Sequence, residues 1–334
     1  MKWGAIIGTL AGLVLAWWLL ASYGAADIFG LLRRGGWGLG AVVLFHFVQI
    51  LFSALAWRSI AGAVRPQPSL GEYMALRWIR EGVNNLLPVA QIGGEVVAAR
   101  LLRRQGVPLT AAIAGSVGDL TMEMLTQVVF TLLALALLVL LVGESGVGGY
   151  VLDGAGMAAL AALGFIAAQW FGLAGLIERG VMRLSQHFGW MTPGELGGEM
   201  GGLDDALRAI YRAPSRVAWA FTHHSVSWLL GGLEVCLALH FLGTDVGVGE
   251  GLVIEALGQA LKATGFAVPG AIGVAEGGYV VVCHLFGLAP ELAIALGLVK
   301  RLREVVLGVP ALAAWRLREA RAAPGQPSRE RTTT

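Results

Sequence analysis

Residues 84–100, NNLLPVAQIGGEVVAAR, place two amides, a proline, a glutamine, a Gly-Gly pair and a glutamate in one short stretch. The chain around this stretch is apolar, since 56% of its 334 residues are hydrophobic and only 14% are charged. Soluble domains carry about a quarter charged residues, so the composition predicts an integral membrane protein. Helix breakers and polar groups therefore coincide within a chain that otherwise suits lipid.

Apolar runs long enough to cross a bilayer flank this stretch on both sides. A spanning helix needs about 20 apolar residues. The predicted spans are 4–22, 38–62, 111–142, 152–177, 217–242 and 291–315. Two further segments, 82–101 and 251–286, are interrupted by polar and helix-breaking residues, so they are not expected to be simple spans.

The second interrupted segment repeats a feature of the first. In 84–100, Pro88 is followed seven residues later by Glu95. In FAVPGAIGVAEGGYVVV (266–282), Pro269 is followed seven residues later by Glu276. Each segment comes after two spans and before a third. Interrupted helices at matching positions of an inverted repeat are the best sequence indication of a transporter's binding site.

The predicted fold is an all-α polytopic membrane bundle of about six spanning helices and two broken or re-entrant segments in an inverted repeat. The first membrane half is 1–142, the second is 143–318, and 319–334 is a polar, disordered tail. The connection 178–216 belongs to the second half. Its arginines and those of the tail predict cytoplasmic termini, because cytoplasmic loops carry the excess of Lys and Arg.

Interrupted helices and polar side chains belong together in a membrane for a physical reason. Proline removes a backbone donor and glycine loosens the helix, which leaves backbone groups without partners. Lipid cannot satisfy these groups, so such segments persist only inside protein or along a wet cavity. The repeat therefore predicts a shared polar pocket near mid-membrane. A pair of proline kinks without a pocket is the alternative.

Ionisable residues inside the predicted membrane region mark the candidate site. A charge at the bilayer centre costs at least about 2.5–3.5 kcal/mol, so such residues usually line a pathway or a site. Helical spacing predicts that Arg77 pairs with Glu81, and that Lys300 and Arg301 pair with Glu304. The candidate substrate-binding residues are Arg77, Arg80, Glu81, Asn84, Asn85, Gln91, Glu95, Lys262, Glu276, Arg301, Arg303 and Glu304.

The basic residues of these segments, counted with Lys300, outnumber their glutamates. This excess predicts an anionic headgroup as ligand, because guanidinium forks match phosphate. Internal ion pairs that only hold helices together are the alternative. Asp119 and Glu123, which share a face with Ser116 and Gln127, are candidate proton-coupling residues. Two carboxylates this close rarely both ionise in a poor dielectric unless an arginine intervenes. The alternative to proton coupling is that the two carboxylates neutralise an arginine of a neighbouring element.

No residue pattern indicates a catalytic motif, a metal site or a cofactor. The histidines lack metal-ligand spacing, Cys236 and Cys283 lie in apolar runs, and no phosphate loop, nucleophile elbow or zinc-protease motif occurs. A metal, a cofactor and a nucleic-acid partner are therefore not expected. The histidines predicted to be structural are His46, His223, His224, His240 and His284.

Four stretches, REGVNNLLPVAQIGGEVVAARLL, GDLTMEMLTQ, AIGVAEGGY and KRLREVVLGVPALAAW, carry a family resemblance. The chain resembles the flippase-like family related to the membrane region of lysylphosphatidylglycerol synthases, and within it the hopanoid-biosynthesis-associated branch. The resemblance implies a multi-pass protein of the bacterial inner membrane tied to lipid handling. In the synthases, the membrane region is linked to moving aminoacylated phospholipid between leaflets. No soluble aminoacyl-transferring domain occurs here, so that activity is not expected.

Residues and resemblance together predict a lipid translocase or transport-type protein that takes the anionic or polyol headgroup of a phospholipid or hopanoid. Two alternatives remain. One is a non-catalytic membrane partner of a hopanoid-biosynthesis enzyme. The other is a membrane-embedded headgroup transferase that uses Asp119 and Glu123, or Glu95, as acid and base.

Overall fold

The computed structural model describes residues 21–62, 66–87, 93–142, 202–264 and 271–321, together with Val14, Trp17 and Trp18. As predicted, these residues form helices and no strand. The helices are α1 (Ala25–Gly35), α2 (Gly38–Ile60), α3 (Leu70–Leu86), α4 (Gly93–Arg104), α5 (Leu109–Val142), α6 (Leu203–Tyr211), α7 (Pro214–Phe241), α8 (Val248–Thr264), α9 (Val274–His284) and α10 (Pro290–Arg321).

Four long helices, α2, α5, α7 and α10, lie where spans were predicted. Helix α5 has 34 residues, which at 1.5 Å per residue is about 50 Å and exceeds the bilayer core of about 30 Å. Among the described residues, α2 and most of α5 are long and apolar enough to cross a membrane by themselves. Helix α10 continues to Arg321, so the prediction of a disordered tail is wrong for residues 319–321.

The predicted span 152–177 and most of 4–22 lie outside the described residues, so the count of six spans stays a prediction. Helix α1 was not predicted. The described part of the connection 178–216 contains the short helix α6. Its Leu203 and Ile210 are buried in the same core cluster as α2 to α5, so part of its apolar face packs on protein.

The first interrupted segment forms a helical hairpin of α3 and α4. Helix α3 begins where the Ser69 hydroxyl accepts the Glu72 N–H at 3.2 Å. At the open end of the hairpin, Gln105 Nε2 donates to Glu72 at 2.5 Å. At the closed end, the Gly94 N–H donates to Asn84 Oδ1 at 2.8 Å. The two helices are therefore antiparallel. Helix is interrupted between Leu86 and Gly93, and Pro88 lies outside the described residues.

The second interrupted segment forms a matching hairpin of α8 and α9. Gly258 of α8 lies against the Tyr279 ring of α9, and Gly278 lies against Leu261. The contacts run in opposite order along the two helices, so α8 and α9 are antiparallel. The helix is interrupted between Thr264 and Val274, and Pro269 lies outside the described part of the chain.

Helices α2 and α7 pack side by side in antiparallel directions. Gly38 at the start of α2 contacts Phe241 at the end of α7. In the middle, the hydroxyls of Ser53 and Ser227 are 3.1 Å apart. Glycine and serine at such a contact let two membrane helices approach closely.

Helices α2–α5 and α7–α10 form two sets with equivalent packing: each helix of one set contacts the counterparts of the helices that its own counterpart contacts. Helix α3 packs on α10 as α8 packs on α5, and α4 packs on α5 as α9 packs on α10. The α3–α10 crossing is close, because a Cβ on Gly82 would lie 2.8 Å from Ala311 Cβ and 3.1 Å from the Gly308 carbonyl oxygen. The outer faces of α5 and α10 expose aliphatic side chains, namely Leu132, Leu133, Leu140, Val305, Val306 and Val309.

Candidate functional site

The first hairpin directs two arginines of α3 toward carboxylates of α5. Arg77 donates through both Nη atoms to Glu123 at 2.7 and 2.5 Å, and through Nε to Glu81 at 2.9 Å. The predicted Arg77–Glu81 pair is therefore formed. Arg77 lies on the same face as Arg80, one helical turn along α3.

Arg80 joins three carboxylates from two helices. Its Nη1 lies 2.6 Å from Asp119, its Nη2 lies 2.6 Å from Glu123, and its Nε lies 3.2 Å from Glu95. The guanidinium also lies 5.3 Å from the centre of the Trp57 ring, and only 2% of the residue is exposed. A planar fork with five donors suits this geometry, whereas the ammonium of lysine does not.

Glu95, the glutamate after the first interruption, is fixed by Asn84 as well as by Arg80. Asn84 Nδ2 lies 3.2 and 3.3 Å from the two Glu95 oxygens, while its Oδ1 accepts the Gly94 N–H. The side chain of Asn84 therefore holds the start of α4 against α3. Asn85 is half-buried, and no hydrogen bond joins it to these groups within the described chain. Gln91 lies outside the described residues.

The second hairpin holds its glutamate in an equivalent place. Glu276 Oε2 accepts the Gly273 N–H at 2.7 Å and so caps the start of α9. Arg301 of α10 lies 3.4 Å from Glu276 and 2.8 Å from Glu304. Lys262 of α8 donates to Glu304 at 2.5 Å. Lys262, Glu276, Arg301 and Glu304 are called the second-hairpin cluster below.

A buried glutamate of α7, Glu234, collects further groups between the hairpins. Arg303 and Gln49 donate to its oxygens, and Lys300 Nζ lies 3.7 Å away. Lys300 also donates to Glu255 of α8. The predicted pairing of Lys300 with Glu304 is therefore wrong: Lys300 points toward α7 and α8, while Glu304 points toward Lys262 and Arg301.

His46 of α2 connects the first hairpin to this middle group. Its Nε2 lies 3.0 Å from Glu81 Oε2, and its Nδ1 lies 3.2 Å from Glu234 Oε2. A second histidine, His224 of α7, contacts Asp119 at 2.9 Å. The main network is the set linked in this way: Arg77, Arg80, Glu81, Glu95, Asp119, Glu123, His46, His224, Glu234, Glu255, Lys300 and Arg303.

The charges of these groups correct the expected excess of positive charge. Within the described residues, the main network has six carboxylates and four Lys or Arg side chains. The second-hairpin cluster has two of each. The earlier count omitted Asp119, Glu123, Glu234 and Glu255, which lie in different helices but meet the same cations. Every predicted cationic residue of the site is thus paired with carboxylate.

The argument for a proton shared by Asp119 and Glu123 also changes. Arg80 lies between them and donates to both, and Arg77 donates to Glu123 and lies 4.0 Å from Asp119. With guanidinium between the two carboxylates, their closeness no longer requires a proton. Proton coupling at this pair loses the premise on which it rested.

Sequence reasoning missed Glu234, Glu255 and Gln49, and it assigned His46 and His224 structural roles. One signal was present for Glu234: a single acidic residue inside the apolar run LLGGLEVCLALHF, where a charge is costly. The histidines gave no comparable signal. Their importance comes from carboxylates more than thirty residues away in sequence.

Four charged side chains form the accessible edge of the site. Glu81 and Glu123 are 22% and 21% exposed, and Lys262 and Arg301 are 15% and 21% exposed. The remaining charged groups of the main network and of the second-hairpin cluster are more deeply buried. A ligand that reaches the site would therefore meet these four groups first. Arg301 makes two ion pairs, and the one with Glu276, at 3.4 Å, is the longer.

Three polar groups beside the Arg80–Asp119 pair are buried without a hydrogen-bond partner among the described residues: Trp57 Nε1, the Tyr73 hydroxyl and the Ser116 hydroxyl. The Trp57 and Tyr73 rings pack edge to face, with centroids 5.3 Å apart. Buried donors without partners are rare in folded proteins, because each costs about 1–3 kcal/mol.

A family model described as "Lysylphosphatidylglycerol synthase TM region" matches residues 5–311, almost the whole chain. The chain belongs to this family. No curated protein and no solved structure matches it. The predicted family is thus confirmed, while the hopanoid-associated branch stays a prediction. Membership in the lysylphosphatidylglycerol synthase membrane-region family, together with the apolar helices, makes this a membrane protein related to the handling of lipid headgroups.

Proposed function

We propose that this chain is a lipid translocase that moves the headgroup of an anionic or polyol lipid across the cell membrane between its two hairpins. The observation that supports this most is the continuous line of buried charged groups from Glu95 to Glu255 inside a bundle with an aliphatic exterior. Ion pairs are a poor way to stabilise a buried core, because desolvation offsets their attraction. A hydrated path for a polar cargo accounts for them better.

The headgroup binds first at the accessible cations. Phosphate oxygens replace Glu276 on Arg301, whose 3.4 Å bond is weak, and approach Lys262 from the same side. The acyl chains stay in the bilayer beside the exposed aliphatic faces. The two hairpins, which have equivalent partners in the packing pattern, open the site to one leaflet and then to the other by rocking of the halves. Both termini are cytoplasmic, and the lipid leaves chemically unchanged.

The test is lipid movement in vesicles reconstituted with the purified chain. A fluorescent phosphatidylglycerol and a fluorescent polyol lipid are loaded in one leaflet, and a membrane-impermeant quencher reports their arrival in the other. We expect the wild type to accelerate movement of at least one probe. Arg301→Ala should slow it about tenfold, the loss expected for one charge-assisted hydrogen bond.

The matched control is Arg316→Ala, which removes an exposed arginine from the same helix. It should retain the wild-type rate. Equal rates for Arg301→Ala and the wild type would show that the site is assigned wrongly. A wild type that moves neither probe contradicts the translocase proposal. A change in the mass of the probe, read by mass spectrometry, would instead favour a headgroup transferase.

A further inference from the structure

The contacts of His46 place an imidazole between two carboxylates from different helices. Nε2 lies 3.0 Å from Glu81 of α3, and Nδ1 lies 3.2 Å from Glu234 of α7. The His46 side chain is only 12% exposed, and Glu234 is fully buried. His46 therefore has carboxylate oxygen at hydrogen-bond distance on both ring nitrogens.

This arrangement needs a proton beyond those of the neutral side chains. Neutral imidazole has one N–H donor, and its other nitrogen carries a lone pair. Against two carboxylates, that lone pair would face an oxygen with no hydrogen between them. Imidazolium donates from both nitrogens and makes two charge-assisted hydrogen bonds. The additional proton is therefore held on His46 or on one of the two carboxylates.

The neighbouring cations favour the imidazole as the holder. Arg77 donates to Glu81, and Arg303 donates to Glu234, so both carboxylates are stabilised in the ionised form. The count of charges agrees. The main network has two more carboxylates than Lys and Arg side chains within the described chain, and its remaining titratable members are His46 and His224.

We propose that His46 is a proton-binding site and that release of its proton is coupled to headgroup movement. The coupling rests on the proposed translocase function, whereas proton binding does not. Arg303 and Lys300 of α10 oppose the charge on His46. The charged groups in direct contact with His46 are Glu81 from α3 and Glu234 from α7. Arg77 from α3 is paired with Glu81, Glu123 from α5 is paired with Arg77, and both cations of α10 lie beside Glu234.

The proton has a short route to water. It passes from His46 Nε2 to Glu81 Oε2, and Glu81, which is 22% exposed, releases it to water and returns to the carboxylate form. His46 is then neutral and donates to only one of its two partners. The link from α3 through α2 to α7 is lost at this point, which loosens the first hairpin from the second half.

Nitrogen NMR of the wild type, labelled at histidine and held in lipid nanodiscs, tests the proton site directly. We expect His46 to give two protonated ring-nitrogen signals near neutral pH, assigned by their absence in His46→Gln. Glu81→Gln provides a second assignment if that variant does not fold, since loss of one carboxylate should remove the imidazolium signal at the same pH. Signals of a neutral imidazole in the wild type would overturn the proposal.

Lipid movement under an imposed pH gradient tests the coupling. We expect the gradient to change the rate severalfold in the wild type and in His240→Gln, whose histidine is exposed and pairs with Asp245 outside the network. His46→Gln should lose the response to the gradient, so that its rates with and without the gradient are equal whether those rates are high or low. A wild type that moves lipid at the same rate with and without the gradient overturns the coupling. Absence of all lipid movement contradicts the translocase function instead, and the NMR result still decides the proton site.

Discussion

Arg80 binds three carboxylates from two other helices while it is almost fully buried. Its three nitrogens reach Asp119, Glu123 and Glu95, and 2% of the residue is exposed. Replacement by alanine would leave three carboxylates without their shared cation. We expect Arg80→Ala to reduce the free energy of unfolding by about 3–5 kcal/mol, the loss found when one partner of a buried ion pair is removed.

The measurement is unfolding of the purified protein in lipid-like detergent, followed by circular dichroism. Arg80→Lys should recover only part of the loss, because an ammonium cannot reach three carboxylates in a plane. Arg33→Ala, which removes an exposed arginine of α1, is the control and should change stability by less than about 0.5 kcal/mol. Equal stability of Arg80→Ala and the control would contradict the role given to Arg80.

Much of the site could be predicted residue by residue, and its pairing only in part. Helical spacing identified Arg77–Glu81 and Arg301–Glu304, because both partners lie on one helix. Spacing failed for Lys300, whose partner Glu255 lies on another helix. Helical spacing shows on which face of a helix a charged side chain lies. It does not show which other helix packs against that face, because that depends on contacts between distant segments.

At the scale of elements, Gly94 controls how closely the first hairpin closes. A Cβ at this position would lie 2.9 Å from Arg80 Cγ and from Asn84 Oδ1, and closer still to the Arg80 carbonyl oxygen. Since backbone cannot move aside easily, we expect Gly94→Ala to destabilise the protein by about 1–3 kcal/mol. Thermal unfolding measures the change, and lipid movement should decline with it because Glu95 shifts.

The second hairpin offers a matched control. A Cβ on Gly277, next to Glu276, would meet no atom within 4 Å. Gly277→Ala should leave stability unchanged or raise it by about 0.5–1 kcal/mol, as expected for alanine in a helix. If Gly277→Ala lost as much stability as Gly94→Ala, the close contact of Gly94 with Arg80 and Asn84 would not explain the effect. Glycine would then be needed at both positions for a more general reason.

The positions of both interruptions could be predicted, but the packing of the flanking helices into hairpins could not. The proline–glutamate spacing located the interruptions, because proline and glycine end helices by local chemistry. The first hairpin begins at Leu70, before the segment 82–101, and the capping box SLGE (69–72) is the sequence signal for that start. Residues 70–81 are a regular helix with charged and apolar residues mixed, and only their packing against α10 and α4 makes them part of the hairpin.

At the scale of the whole molecule, the antiparallel contact of α2 with α7 joins the two sets of helices. The hydroxyls of Ser53 and Ser227 are 3.1 Å apart. After Cys236 and Cys283 are replaced by alanine, Ser53→Cys with Ser227→Cys should form a disulfide on mild oxidation. A protease site inserted at 190–199 allows a gel to show whether the two fragments remain joined.

Ser59→Cys with Ser227→Cys is the control pair, since Ser59 lies six residues along α2 from Ser53, about 9 Å away. It should not cross-link. The translocase proposal adds a further expectation: if the halves rock, the Ser53–Ser227 cross-link should stop lipid movement, and reduction should restore it. Unchanged movement in the cross-linked protein would contradict any rocking that separates α2 from α7 at these two residues.

The close crossing of α3 and α10 has a mechanical consequence. Trp78 Nε1 donates to the Leu307 carbonyl at 2.9 Å, and one turn further along α3 the backbone of Gly82 lies against the backbone of Gly308, so the two helices are held close together. Such a joint resists sliding but permits rotation. If the two halves move, we expect α3 and α10 to pivot at this crossing. Spin labels placed here should then keep a constant separation, while spin labels at the hairpin tips move apart.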